Sequence, residues 1–98
     1  MVITILEAQV AAEKTILLKE AYNQGIKRLD VGITQTFLLQ NSKDPILWQI
    51  VTIWQNRDVL EALRRSGNTP RGVQMFRAAE AEPVLSVFDV VDNAVAST

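Results

Sequence analysis

The sequence predicts an α+β fold, a ferredoxin-like βαββ(αα)β chain with an antiparallel sheet. Three observations predict it. The apolar pattern switches from strand-like to helical spacing and back, in an order that falls into two β-α-β halves. A short turn tract, NSKDP, joins two strand-like runs and makes them a hairpin. Two helix starts, at Asn56 and Thr69, follow closely within the second crossover.

Residues 2–10 read as a strand, with β-branched residues in VITI and no turn former. From residue 11 to 27 the period becomes helical. Leu17, Leu18, Ala21, Tyr22, Gly25 and Ile26 fall on one stripe, while Glu13, Lys14, Lys19 and Glu20 can face water. Gly25 lowers helix propensity there and marks either fraying or close packing. After RLDVG, ITQTFLLQ is the second strand and ILWQIVTIWQ the third, with Pro45 unfit for a central ladder between them. Asn56 then stands as an N-cap, Asp58 in the first turn, Arg64 and Arg65 in the last, and Gly67 just beyond. Each charge suits the helix dipole. Thr69 is expected to cap a third helix with Pro70 at its first position, and that helix ends before Pro83. VLSVFDVV closes the sheet and leaves a small tail.

At 98 residues the chain is expected to form one domain, residues 1–98. Ten basic against eleven acidic residues leave a formal charge of −1, which disfavours a nucleic acid partner. The absence of cysteine excludes thiolate catalysis and Cys-based metal sites. The absence of histidine removes the commonest general base and metal ligand. MVITILEAQVAAEK has no basic n-region, and no apolar run approaches the roughly 20 residues of a membrane span. A soluble, cytoplasmic protein without a membrane partner is expected.

The strands are apolar on both faces. In the third, Leu47, Val51 and Ile53 oppose Trp48, Ile50 and Trp54; in the fourth, Leu85 and Val87 oppose Val84, Phe88 and Val90. Right-handed crossovers put the helices on one side only, so a bare apolar sheet face would remain. Such a face exceeds what a monomer tolerates, and a second copy is the simplest cover. A homodimer of packed sheets is expected, without a decision on which face meets the partner. Trp48 and Trp54 share a side but stand roughly 20 Å apart at about 3.3 Å per residue, so one small ligand cannot touch both. Both suit core or interface packing. Trp54, two residues before the helix cap, is the better placed to read a ligand between sheet and helices.

The segment WQNRDVLEAL, followed by TPRGVQMFRAAEAEPVLSVFDVV, resembles the antibiotic biosynthesis monooxygenase family of dimeric α+β barrels. The matching features are Trp54, the Asn56 cap, Arg57 and Asp58, the apolar Val59 and Leu60, then Phe76-Arg77-Ala78-Ala79 and Glu82-Pro83. The resemblance covers about half the chain, the other half agreeing through element order alone. It implies a ferredoxin-like dimer with a pocket between sheet and helices in each subunit. It also implies oxygenation of a quinol or polycyclic phenol without metal or flavin, hence no cofactor. Haem-degrading members use a histidine that this chain lacks.

For such chemistry the substrate supplies the electrons, while the protein holds a phenolate near O₂ in a dry pocket and helps remove a proton. Tyr22 can hydrogen-bond a substrate oxygen, or be a core tyrosine with its tip in water. Thr52 shares a strand face with Trp54 and can orient a ligand, or be an ordinary strand residue. Met75 and Phe76 can wall the pocket, Phe76 fitting core spacing better. Leu63 is expected in the core, and Glu7 and Gln9 share one face of the first strand. Five arginines between Arg57 and Arg77 either attract an anionic ligand or form a solvated layer. The alternative to an enzyme is a non-catalytic dimeric barrel that binds a small hydrophobic ligand or serves in assembly.

Overall fold

The computed structural model describes residues 1–97. Strand β1, Val2–Gln9, runs into a short 3₁₀ turn, Ala12–Lys14, and helix α1, Thr15–Gly25. Strands β2, Ile33–Gln40, and β3, Leu47–Trp54, form the hairpin. Helices α2, Arg57–Arg65, and α3, Arg71–Ala78, precede strand β4, Val84–Asp89. The sheet order is β2-β3-β1-β4 and every neighbouring pair is antiparallel. Strand β3 therefore slots between β1 and β2, as the split β-α-β plan requires.

The hairpin turn forms for the reason its residues suggest. Asn41 Oδ1 accepts the backbone N–H groups of Lys43 at 2.8 Å and Asp44 at 2.9 Å, replacing ladder bonds with an Asx turn. A bulge between Ile33 and Gln35 interrupts the start of β2, and the Thr34 hydroxyl donates to the Ile53 carbonyl at 3.2 Å. Helix α2 begins and ends as its caps dictate: Asn56 Oδ1 accepts the Val59 N–H at 3.0 Å, and Gly67 lies beyond the C-cap Ser66 with φ +77°.

Helix α3 corrects the expectation for Thr69. It starts one residue later, with Pro70 as the N-cap and no side-chain cap bond. The Pro70 carbonyl accepts the first helical bond, from the Gln74 N–H at 3.1 Å, and the Thr69 carbonyl takes the Gln74 side-chain amide at 3.3 Å. Helix α1 is also shorter than the period implied, ending at Gly25. Gly25 marks close packing: a Cβ there would run into the Met75 thioether, so α1 and α3 meet across a missing side chain.

Even-numbered residues of β1 and β3 face the helices. Leu6, Ala8, Val10, Trp48 and Ile50 pack with Leu18 of α1 and Phe76 of α3 into the main core cluster. Val2, Trp54 and Leu60 of α2 form a second cluster at the other end of the sheet. The two tryptophans thus anchor opposite ends of one face. The odd-numbered face carries no helix. Across it lie Ile3, Ile5, Val51 and Ile53, flanked by Phe37 and Leu39 on β2 and by Val84 and Phe88 on β4, with Phe88 51% and Val84 69% exposed. A Glu7–Gln49 pair, with Gln49 Nε2 donating to Glu7 Oε1 at 2.8 Å, is its polar centre. Among the described residues no helix is long and apolar enough to cross a membrane.

Candidate functional site

Between the helix-facing side of the sheet and the two helical connections lies a cavity of about 480 Å³. Its floor is the second half of β3 with its neighbours: Ile50, Thr52 and Trp54, beside Thr4 and Leu6 of β1 and Thr36 of β2. Tyr22 and Gly25 of α1 and Gly72, Val73 and Met75 of α3 make one wall, Leu60 and Leu63 of α2 the other. The mouth carries Asp30, Arg64, Asn68 and Arg71. Helix α3 enters beside it at Gly72. A Cβ there would meet the tip of the Leu6 side chain at 2.6 Å, so the start of this helix lies close against the sheet.

The interior is apolar with a few hydroxyls. Tyr22 Oη donates to Thr36 Oγ1 at 3.4 Å, a long bond that a ligand oxygen can replace. Trp54 Nε1 donates to the buried Thr4 Oγ1 at 3.0 Å, which fixes the indole as a wall rather than a free donor. Thr52 stands between them on the same face. Asp30 is the one carboxylate lining the cavity among the described residues, and Arg71 Nε lies 3.5 Å from its Oδ1. Arg71 also donates to the Arg28 backbone carbonyl, tying the start of α3 to the segment between α1 and β2.

Of the residues singled out in the sequence, Tyr22, Thr52, Trp54 and Met75 line this cavity together. Phe76 is not among its lining residues. At 0% exposure it faces Leu18 and Trp48 in the main cluster, because adjacent helical positions cannot share one face and Met75 holds the cavity side. Leu63, expected as plain core, is half-buried and borders the cavity. Glu7 and Gln9 lie on the opposite sheet face and have no part in it. The residues that sequence reasoning missed are Thr4, Thr36, Gly72 and the Asp30–Arg71 pair. Parity with Trp54 on paired strands could have found the two threonines; nothing local marks the others.

No family model matches the chain, and no curated protein does. Solved structures do match. A candidate antibiotic biosynthesis monooxygenase from Deinococcus radiodurans superposes over 100% of both chains, with 15% identity and a TM-score of 0.72. One from Nitrosomonas europaea, at 21% identity, covers 94% of this chain and 100% of its own with a TM-score of 0.67. A variant of MhuD, with two manganese protoporphyrin IX molecules bound per active site, is 18% identical. It covers 98% of this chain and 100% of its own, at a TM-score of 0.72. At such identities likeness of backbone is likeness of fold. The chain has the ferredoxin-like α+β fold of the antibiotic biosynthesis monooxygenases.

Proposed function

We propose that this protein is a cofactor-independent monooxygenase acting on a quinol-like or polycyclic phenol, and that it works as a homodimer joined through the open sheet face. The observation that carries the reading is the cavity of about 480 Å³ between sheet and helices. Its size lies within the usual range for small-molecule sites, roughly 300–1,000 Å³. Its walls suit an aromatic ring, and the Tyr22–Thr36 pair with Thr52 offers hydroxyls to the ring's oxygen substituents. The porphyrins in the MhuD variant support a flat polycyclic ligand in this fold.

The chemistry asks little of the protein. A deprotonated electron-rich ring gives electrons to O₂, and for an anthrone the overall change is a methylene and O₂ going to a ketone and water. The protein's share is to hold the ring, to bond its oxygen so that the anion is favoured, and to keep bulk water out. Tyr22 and Thr36 supply the bond; Trp54, Leu60 and Met75 exclude water.

Oxygen uptake by metal-stripped protein against hydroquinones and anthrone-like phenols tests this. Uptake above the autoxidation blank is expected, with kcat/KM about tenfold lower in Tyr22→Phe and reduced in Thr52→Val. A second reading, a non-catalytic binder of a small hydrophobic ligand, is favoured by one observation. Among the described residues Asp30 is the one carboxylate that lines the cavity, so the site offers few groups to serve as a base. Calorimetric binding of these phenols with no uptake would select that reading.

A further inference from the structure

The sequence places five arginines between residues 57 and 77, and the structure divides them by the quality of their partners. Two of the three away from the cavity hold close carboxylates: Arg57 Nη2 lies 2.6 Å from Asp89 Oδ1, and Arg77 Nη2 lies 2.7 Å from Glu82 Oε1. The two that line the cavity mouth do not. Arg71 reaches Asp30 only at 3.5 Å, and Arg64 reaches Glu61 only at 3.5 Å, a carboxylate that Arg57 also draws on at 3.6 Å. Arg65, in the last turn of α2, is exposed and does not line the cavity.

Each guanidinium carries five N–H donors in a fixed fork suited to a carboxylate. At the mouth one of Arg71's is taken by the Arg28 carbonyl, and the long ion pair leaves the rest under-used. Two guanidinium groups and one carboxylate therefore line a chamber whose interior is apolar apart from a few hydroxyls. Positive charge concentrated there, beside low-dielectric walls, favours an anion over a neutral ligand. Asn68, also at the rim, adds an amide that can donate to the same group.

We propose that the cavity takes an aromatic acid: a ring seated against Trp54 and Met75, with a carboxylate held at the mouth by Arg71 and Arg64. This rests on the reading of the cavity as a ligand site and names the class of ligand it prefers. The ring oxygen then lies toward Tyr22 and Thr36, and the carboxylate sets which end of the molecule enters first. Arg71 exchanges a long contact with Asp30 for a charge-assisted pair with the ligand.

The test is calorimetric titration with 2-naphthol, 6-hydroxy-2-naphthoate and the methyl ester of the latter, the same ring with and without a charge. The acid is expected to bind about tenfold more tightly than naphthol at low salt, with the ester close to naphthol. Added salt should erode the acid's advantage and leave naphthol alone. In Arg71→Gln and in the Arg64→Gln, Arg71→Gln double variant, the ratio of acid to naphthol affinity should fall toward one; naphthol reports any loosening of the fold. Equal binding of acid and naphthol by the wild-type protein overturns the proposal and leaves the cavity as a neutral-ligand site. A preference that survives in the double variant also overturns it. Binding of none of the three overturns both this proposal and the ligand reading of the cavity.

Discussion

Trp48 and Trp54 lie on the same face of β3 but differ in what their indole N–H groups meet. Trp54 Nε1 donates to Thr4 Oγ1, whereas Trp48 Nε1 is buried without a partner among the described residues. An unmade bond on a buried donor costs about 1–3 kcal/mol, so removing the donor recovers part of what the smaller ring loses. Trp48→Phe is therefore expected to destabilise the protein less than Trp54→Phe, by about 1–3 kcal/mol in urea unfolding. Equal midpoints for the two variants would contradict this account. Sequence parity put both rings on one side; it had no means of showing that only one finds a hydroxyl, because Thr4 is 50 residues from Trp54. The Tyr22–Thr36 bond joins two elements and was invisible for the same reason.

Helix α2 is the element most completely written in local residues. Its N-cap bond and its positive-φ Gly67 each satisfy groups that a helix leaves open at its ends. Asn56→Ala should lower stability by about 1 kcal/mol. Gly67→Ala should lower it by a similar ~1 kcal/mol, through backbone strain alone, since nothing lies within 4 Å of an added Cβ. Thermal melts of the two single variants and the double would check that these ends act independently. At the end of α3, the Glu82 carboxyl is held below its ordinary value, first by the hydrogen bond from Arg77 and also by that guanidinium's charge. A depressed carboxyl stabilises the fold above its unfolded value and loses that contribution as pH falls through the folded one. Glu82→Gln should therefore be slightly less stable than wild type near neutral pH, with the gap closing as pH falls through the depressed folded value. The gap should be small, because both partners are exposed. The start of α3 shows the opposite case. Thr69-Pro70 carries the local signals of a cap, yet the helix begins a residue later, where Gly72 meets Leu6 and the sheet sets its position.

For the molecule as a whole, the open sheet face is the feature that most needs a partner. Ile5, Val51, Phe37 and Phe88 lie across it from strand to strand, with polar residues Gln9, Gln35 and Ser86 beside the Glu7–Gln49 pair. Sedimentation at micromolar concentration is expected to give a dimer, and Val51→Glu, which places a charge at the centre of that face, a monomer. A wild-type monomer would remove the proposed interface. The order of elements, both faces of each strand, the hairpin turn and the caps of α2 could all be read from the 98 residues, because each rests on neighbours within a few positions. The choice of the odd-numbered face as the open one could not, since strand parity is symmetric until the helices settle on one side. The division between Met75 on the cavity and Phe76 in the core, and the gathering of Arg64, Arg71 and Asp30 at one mouth, belong to the same class. They depend on where α1, α2 and α3 cross the sheet, and those crossings are set by contacts between residues far apart in the chain, such as Gly25 with Met75 and Gly72 with Leu6.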